Sequence, residues 1–136
     1  MTYAHTITLP LPFAEAVSRV REALAAQGFG ILSEIDVHAT FAAKLGEESA
    51  RALGEFLILG ACNPSLSQRA LTVEPEMGVL LPCNVVVRRG ADATSTTVQT
   101  IDPQTMAELS SAPDVRAVAD EADSRLRTAL TALEAA

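Results

Sequence analysis

The fold turns on residues 79–101, VLLPCNVVVRRGADATSTTVQTI, where a nearly unbroken apolar run meets a polar turn and a Thr/Val-rich run. Val79 to Arg88 reads as a central strand, covered on both faces or facing a partner chain. Gly90 to Ala93 makes a turn. Thr94 to Ile101 pairs back, so the segment predicts a β-hairpin.

Elements on either side follow from periodicity and caps. Glu55 to Leu59 is a third strand, and Asn63-Pro64 supplies the N-cap and first residue of a helix. Leu66, Ala70, Leu71 and Val73 give that helix an apolar stripe, which Glu74-Pro75-Glu76 stops. Tyr3 to Leu9 alternates as a strand with one buried face. Phe13, Val17, Val20 and Leu24 recur at helical spacing between Pro12 and Gln27, with Gly28 at the stop. Gly30 to Ile35 is a short strand, and Asp36 caps a short helix from Val37 to Leu45 that stops at Gly46. Glu47 to Leu53 is polar and ambiguous. Asp102-Pro103 opens one helical turn around Met106 and Leu109. Pro113 starts a last helix with the stripe Val115, Val118, Ala122, Leu126, Leu130 and Leu133. Mixed strands and helices with a hairpin predict one α+β domain over residues 1–136. Its two layers are a mainly antiparallel sheet of about five strands and helices packed on one face.

Composition excludes several function classes. A chain of 136 residues is one domain and buries roughly 68% of its unfolded surface, enough for a core without staples. Seventeen acidic against ten basic residues give a formal charge of −7. Arg88-Arg89 is the only adjacent basic pair, so a phosphate backbone is repelled and nucleic acid is not an expected partner. No apolar run approaches the roughly 20 residues that span a bilayer. Nor does the N-terminus have the pattern of a signal peptide. The expected location is the cytoplasm, away from membranes, where a permanent disulfide is disfavoured.

Two Cys-Asn pairs are the candidate site: Cys62-Asn63 before a helix and Cys83-Asn84 on the central strand. A helix N-terminus favours a thiolate at Cys62. Alternatively Cys62 and Cys83 are small apolar residues in a core. Asn63 reads most simply as a cap. Asn84, inside Leu-Leu-Pro-Cys-Asn-Val-Val-Val, reads as a buried amide that must find a partner. Two thiolates suit a soft metal such as Cu(I), or Zn with added ligands. However, Cys-x20-Cys is not a zinc-finger spacing, so no cofactor is expected beyond that option. His5 falls on the apolar face of the first strand and reads as a core histidine. His38 reads as solvated on a short polar helix. Gly-rich phosphate loops and the Gly-x-Ser-x-Gly elbow are absent.

Five segments carry a family resemblance. They are Gly28-Phe29-Gly30-Ile31-Leu32-Ser33-Glu34-Ile35-Asp36-Val37, Lys44-Leu45-Gly46, Ile58-Leu59-Gly60-Ala61-Cys62-Asn63-Pro64, Glu74-Pro75-Glu76-Met77-Gly78 with Leu80 to Val87, and Ile101-Asp102-Pro103 with Met106. In these the chain resembles domain-of-unknown-function family 302, over nearly its whole length. The resemblance implies a small α+β domain of the TATA-binding-protein-like, helix-grip kind, and a homodimer. It implies no activity, substrate or catalytic residue, and its fold label is not an argument for DNA binding.

The sequence therefore predicts a cytoplasmic, non-enzymatic or weakly enzymatic domain that binds a small ligand near Cys62, Asn63, Cys83 and Asn84. One alternative is a thiol redox or soft-metal protein using Cys62 and Cys83. Another is a structural or partner-binding homodimer, suggested by the apolar Val79–Val87 run.

Overall fold

The computed structural model describes residues 2–135. Five strands make one antiparallel sheet: β1 (Ala4–Leu9), β2 (Gly30–Asp36), β3 (Glu55–Cys62), β4 (Cys83–Arg89) and β5 (Thr96–Ile101), in the order β1-β5-β4-β3-β2. Between them run α1 (Phe13–Ala26), α2 (Val37–Leu45), α3 (Glu47–Leu53), α4 (Pro64–Val73), a 3-10 segment (Pro75–Leu80), α5 (Pro103–Glu108) and the long α6 (Pro113–Ala135). The expected α+β class, the five strands and their antiparallel pairing are all present.

Alternation in the strands separates the two faces. Ile7, Leu9, Leu57, Leu59, Val85, Val87 and Val98 point one way and are buried. They pack against Ala16, Val20 and Leu24 of α1 and Leu126, Ala129, Leu130 and Leu133 of α6. The opposite face is open and partly polar. There Arg88 donates to Gln99 (2.9 Å), and the Gln99 amide donates to the Thr6 hydroxyl (3.2 Å), a ladder across β4, β5 and β1. The α6 stripe read from the sequence is buried throughout.

Several expectations change. The strand expected to begin at Val79 begins at Cys83. Pro82 has no N–H to donate to a ladder, so pairing starts after it. The residues before it coil into the 3-10 segment, where Val79 is 86% exposed. Glu47–Leu53, ambiguous in sequence, is helix α3, whose first-turn acids Glu47 and Glu48 favour its positive end. Val73, read as part of the α4 stripe, and Leu109, read as part of the turn after Pro103, are exposed, because Val73 is the last residue of α4 and Leu109 caps the end of α5. His38 is not free in solvent. Its Nδ1 lies 2.7 Å from the Gly54 carbonyl, and since a carbonyl only accepts, Nδ1 carries the proton.

Gly54 is the corner between α3 and β3. Its backbone has φ 81° and ψ −160°, a region essentially closed to other residues. A Cβ there would run into the Arg89 carbonyl and the backbone of Gly90 and Ala91. Gly54→Ala is therefore expected to lower the unfolding free energy by at least about 1–3 kcal/mol, measured by urea denaturation. An unchanged midpoint would show that the corner relaxes freely.

Candidate functional site

The site is built where β3 and β4 end together. Their register pairs Gly60 with Asn84 and Ala61 with Cys83. Gly60 has no side chain because there is no room for one: a Cβ would strike the Ser33 hydroxyl and the Pro82 ring. That close approach brings Pro82 and Cys83 down onto β3. Cys83 continues the buried face of Val85 and Val87.

Cys62 is the last residue of β3 and is half-buried. Its Sγ lies 3.2 Å from the Ser67 hydroxyl, one turn into α4. Asn63 caps α4, its side-chain oxygen accepting from the Leu66 N–H (3.3 Å). Its amide nitrogen fills the space over Gly28, beside the Arg125 guanidinium. Arg125 in turn donates to the Gln27 carbonyl (3.0 Å), which ties α6 to the corner after α1.

The structure brings Cys62, Asn63 and Cys83 together and leaves Asn84 out. All three line one cavity of about 50 Å³, bordered by the end of β3, the start of β4, α4, the 3-10 segment, α5 and α6. Asn84 is exposed on the open face of the sheet. The expectation of a buried amide in search of a partner is thus overturned. It rested on a run apolar in both directions, whereas β4 is covered on one face only, and alternation turns position 84 outward.

Two lining residues that sequence reasoning did not assign are the thioethers Met77 and Met106. They pack with Cys83 and Val115 in one buried cluster. Residues 62, 77, 83 and 106 lie on four different elements, so no spacing rule joins them. None of the sixteen lining residues carries a charge.

Burial pushes the Cys83 thiol up from its ordinary 9.0 to about 11, and the neighbouring Cys62 adds to the rise. Cys83 is thus a neutral thiol at physiological pH. Outside the cavity, Arg69 of α4 donates to Glu121 of α6 (3.0 Å), which also pairs with Arg125. The Arg69 hydrogen bond, with Arg125, holds the Glu121 carboxyl below its ordinary range. This exposed bridge ties α4, the wall that carries Ser67, to α6.

His5 is not part of the cavity and is not a plain core histidine. Its Nε2 lies 2.7 Å from Asp123 Oδ1 and 3.7 Å from Asp102 Oδ1. The three ligand-type atoms lie within 4.8 Å of one another.

No helix among the described residues is long and apolar enough to cross a membrane. No curated protein matches the sequence. Among solved structures, the chain is similar to one described as "Crystal structure of uncharacterized conserved protein DUF302 from Bacillus stearothermophilus". The identity is 24%, the TM-score 0.84, and the likeness covers 96% of this chain and 98% of that one, which supports the fold. The family profile described as "Domain of unknown function DUF302" matches residues 5–133, and the chain belongs to that family.

Proposed function

We propose that this domain binds a small, largely apolar ligand in the cavity lined by Cys62, Asn63 and Cys83. The observation that carries the reading is that both cysteines of the chain line one cavity. A water needs roughly 10–15 Å³ of such space, so about 50 Å³ suits an occupant of a few heavy atoms and not a nucleotide. The Ser67 hydroxyl, the Asn63 amide and the two thiols supply what polarity there is, and the rest of the wall is aliphatic, thioether or the Phe29 ring. A lining without charge favours binding over acid–base catalysis. Asn84 takes no part in this reading.

The two free thiols fit a reducing cytoplasm. Within the thiol alternatives, the high pKa of Cys83 works against redox exchange, which wants an accessible thiolate. Met77 and Met106 instead favour a soft metal as the second reading, since thiolate with thioether is a donor set for Cu(I). The assembly we propose is a homodimer through the open sheet face, where Ile35 and Ile58 stand opposite each other and Val86 pairs with Ile58 on the next strand. A monomer at micromolar concentration by sedimentation would count against it.

Ala70, Ala119 and Ala122 line the cavity, so an alanine enlarged to leucine fills it. Titration with benzene, followed by methyl NMR, is expected to shift Leu66, Val115 and Val118 in the wild type and much less in Ala119→Leu. Shifts of equal size in both would overturn the binding reading. For the metal reading, anaerobic Cu(I) titration is expected to load one equivalent, lost in the Cys62→Ser/Cys83→Ala variant. No uptake by the wild type removes it.

The thiol of Cys83 also sets a pH dependence. Its pKa is raised by folding, so the folded state holds the proton more tightly than the unfolded one. The resulting stability is fully present below about pH 9 and is lost as pH rises through about 11. Wild type is expected to lose about 2–3 kcal/mol more than Cys83→Ala between pH 8 and 11.5, by denaturant unfolding. Parallel pH profiles would show that Cys83 is not buried as described.

A further inference from the structure

His5, Asp102 and Asp123 reach one point from three separate elements: β1, the start of α5 and the middle of α6. We propose that this point is a binding site for a borderline divalent metal ion of the zinc class, with the Thr100 hydroxyl as a further polar contact. Its three residues lie outside the lining of the sulfur cavity.

The donor set is one imidazole nitrogen and two carboxylate oxygens, all within 4.8 Å of one another. Zinc sites with three protein ligands and one open position use such donors. The imidazole selects a borderline ion over magnesium or calcium, which prefer all-oxygen shells. Two carboxylates and a neutral imidazole carry two negative charges, which match the ion. The Nε2 position now directed at Asp123 would be taken by the ion, with the neutral ring keeping its one N–H at Nδ1.

Each carboxylate is already positioned. The Asp102 N–H donates to the Tyr3 carbonyl (2.8 Å), and Asp102 Oδ1, the oxygen that faces His5, also caps α5 by accepting from the Gln104 N–H (2.9 Å). Asp123 Oδ2 accepts from Arg127 (3.0 Å), leaving Oδ1 toward His5. Such outer contacts orient metal ligands. The three side chains are 14–20% exposed, so an ion can reach them from solvent.

The independent observation is Thr100. It is 2% exposed, and its hydroxyl is the one buried side-chain polar atom among the described residues with no hydrogen-bond partner. Thr96, four residues earlier on the same face, donates to the Leu11 carbonyl (2.7 Å). Thr100 pairs directly with His5 in the β1–β5 register, so the two side chains stand beside each other on the helix-covered face. A buried hydroxyl without a partner is costly, and an ion or its bound water is what such a group commonly serves.

The test is zinc titration by calorimetry on the full chain in a Cys62→Ser/Cys83→Ala background, which removes the sulfur site. One equivalent is expected. His5→Gln should abolish it, and Asp102→Asn, which keeps the cap, should abolish or severely weaken it if His5→Gln does not fold. Thr100→Val should weaken it about 10- to 100-fold, as outer-shell contacts do. The metal-free Thr100→Val protein should be no less stable, because it loses only an unpartnered hydroxyl. A folded cysteine-free protein that takes up no zinc overturns the proposal. So does uptake with unchanged affinity in any folded variant of His5, Asp102 or Thr100.

Discussion

The pairing of Ala61 with Cys83 across β3 and β4 is the constraint on which the rest depends. Side chains alternate with period two, so this register decides which residues face the helices. Slipped by one residue, β4 would present Asn84, Val86 and Arg88 to α1 and α6 in place of Cys83, Val85 and Val87. The register is held from both ends. At one end a Cβ on Gly60 would collide with the Pro82 ring, and at the other a Cβ on Gly54 would collide with the Arg89 carbonyl. These two glycines let the backbones close on each other, and the strands between them have no freedom to shift.

The core behind this sheet is not uniform. Toward Leu57, Val87 and Leu130 it is branched aliphatic packing, buried throughout. Toward Ala61, Ala70, Ala119 and Ala122 the residues become small, and flexible Met77 and Met106 come in instead. Small walls and unbranched thioethers leave space that larger side chains would have occupied. At about 24 cal/mol per Å³, a cavity near 50 Å³ costs on the order of 1 kcal/mol. That cost is modest beside total stability, so the domain keeps the void without losing its fold. The site exists because one end of the core is built from residues that cannot fill it.

Local signals in the chain were readable and distant ones were not. Caps at Asp36, Asn63 and Asp102, the α6 stripe and the turn after Arg89 are decided within a few residues, and each is found where the pattern put it. The start of β4 was misread because hydropathy at Val79 and Leu80 outweighed the missing N–H of Pro82. Asn84 was misread because Val86 is apolar on a face that no helix covers. Cys62 and Cys83 were legible as rare residues at strand ends. Their thioether neighbours were not, because Met77 and Met106 reach the cavity only after β4, β5 and α5 have been placed. His5 looked like core because it shares a face with Ile7 and Leu9. Nothing near it in sequence shows that Asp102 and Asp123 arrive from 97 and 118 residues away.

The two candidate sites divide the chemistry of the chain. In the cavity, polarisable sulfur and small apolar groups lie together without a charged residue, so an occupant there is held by dispersion or by soft-donor bonds. Beside His5 the donors are hard or borderline, two of them anionic, each braced by a backbone or arginine contact. Asp102 joins the regions through the fold: Pro103 and Met106, just after it on α5, line the cavity, while its own side chain faces His5. A rigid shift of this short helix would therefore move both sites together. An ion that fixes Asp102 against His5 would hold Met106 in the cavity wall. Occupancy beside β1 could then tune the sulfur site by limiting how far α5 can withdraw, a coupling carried by one helix and not by the sheet.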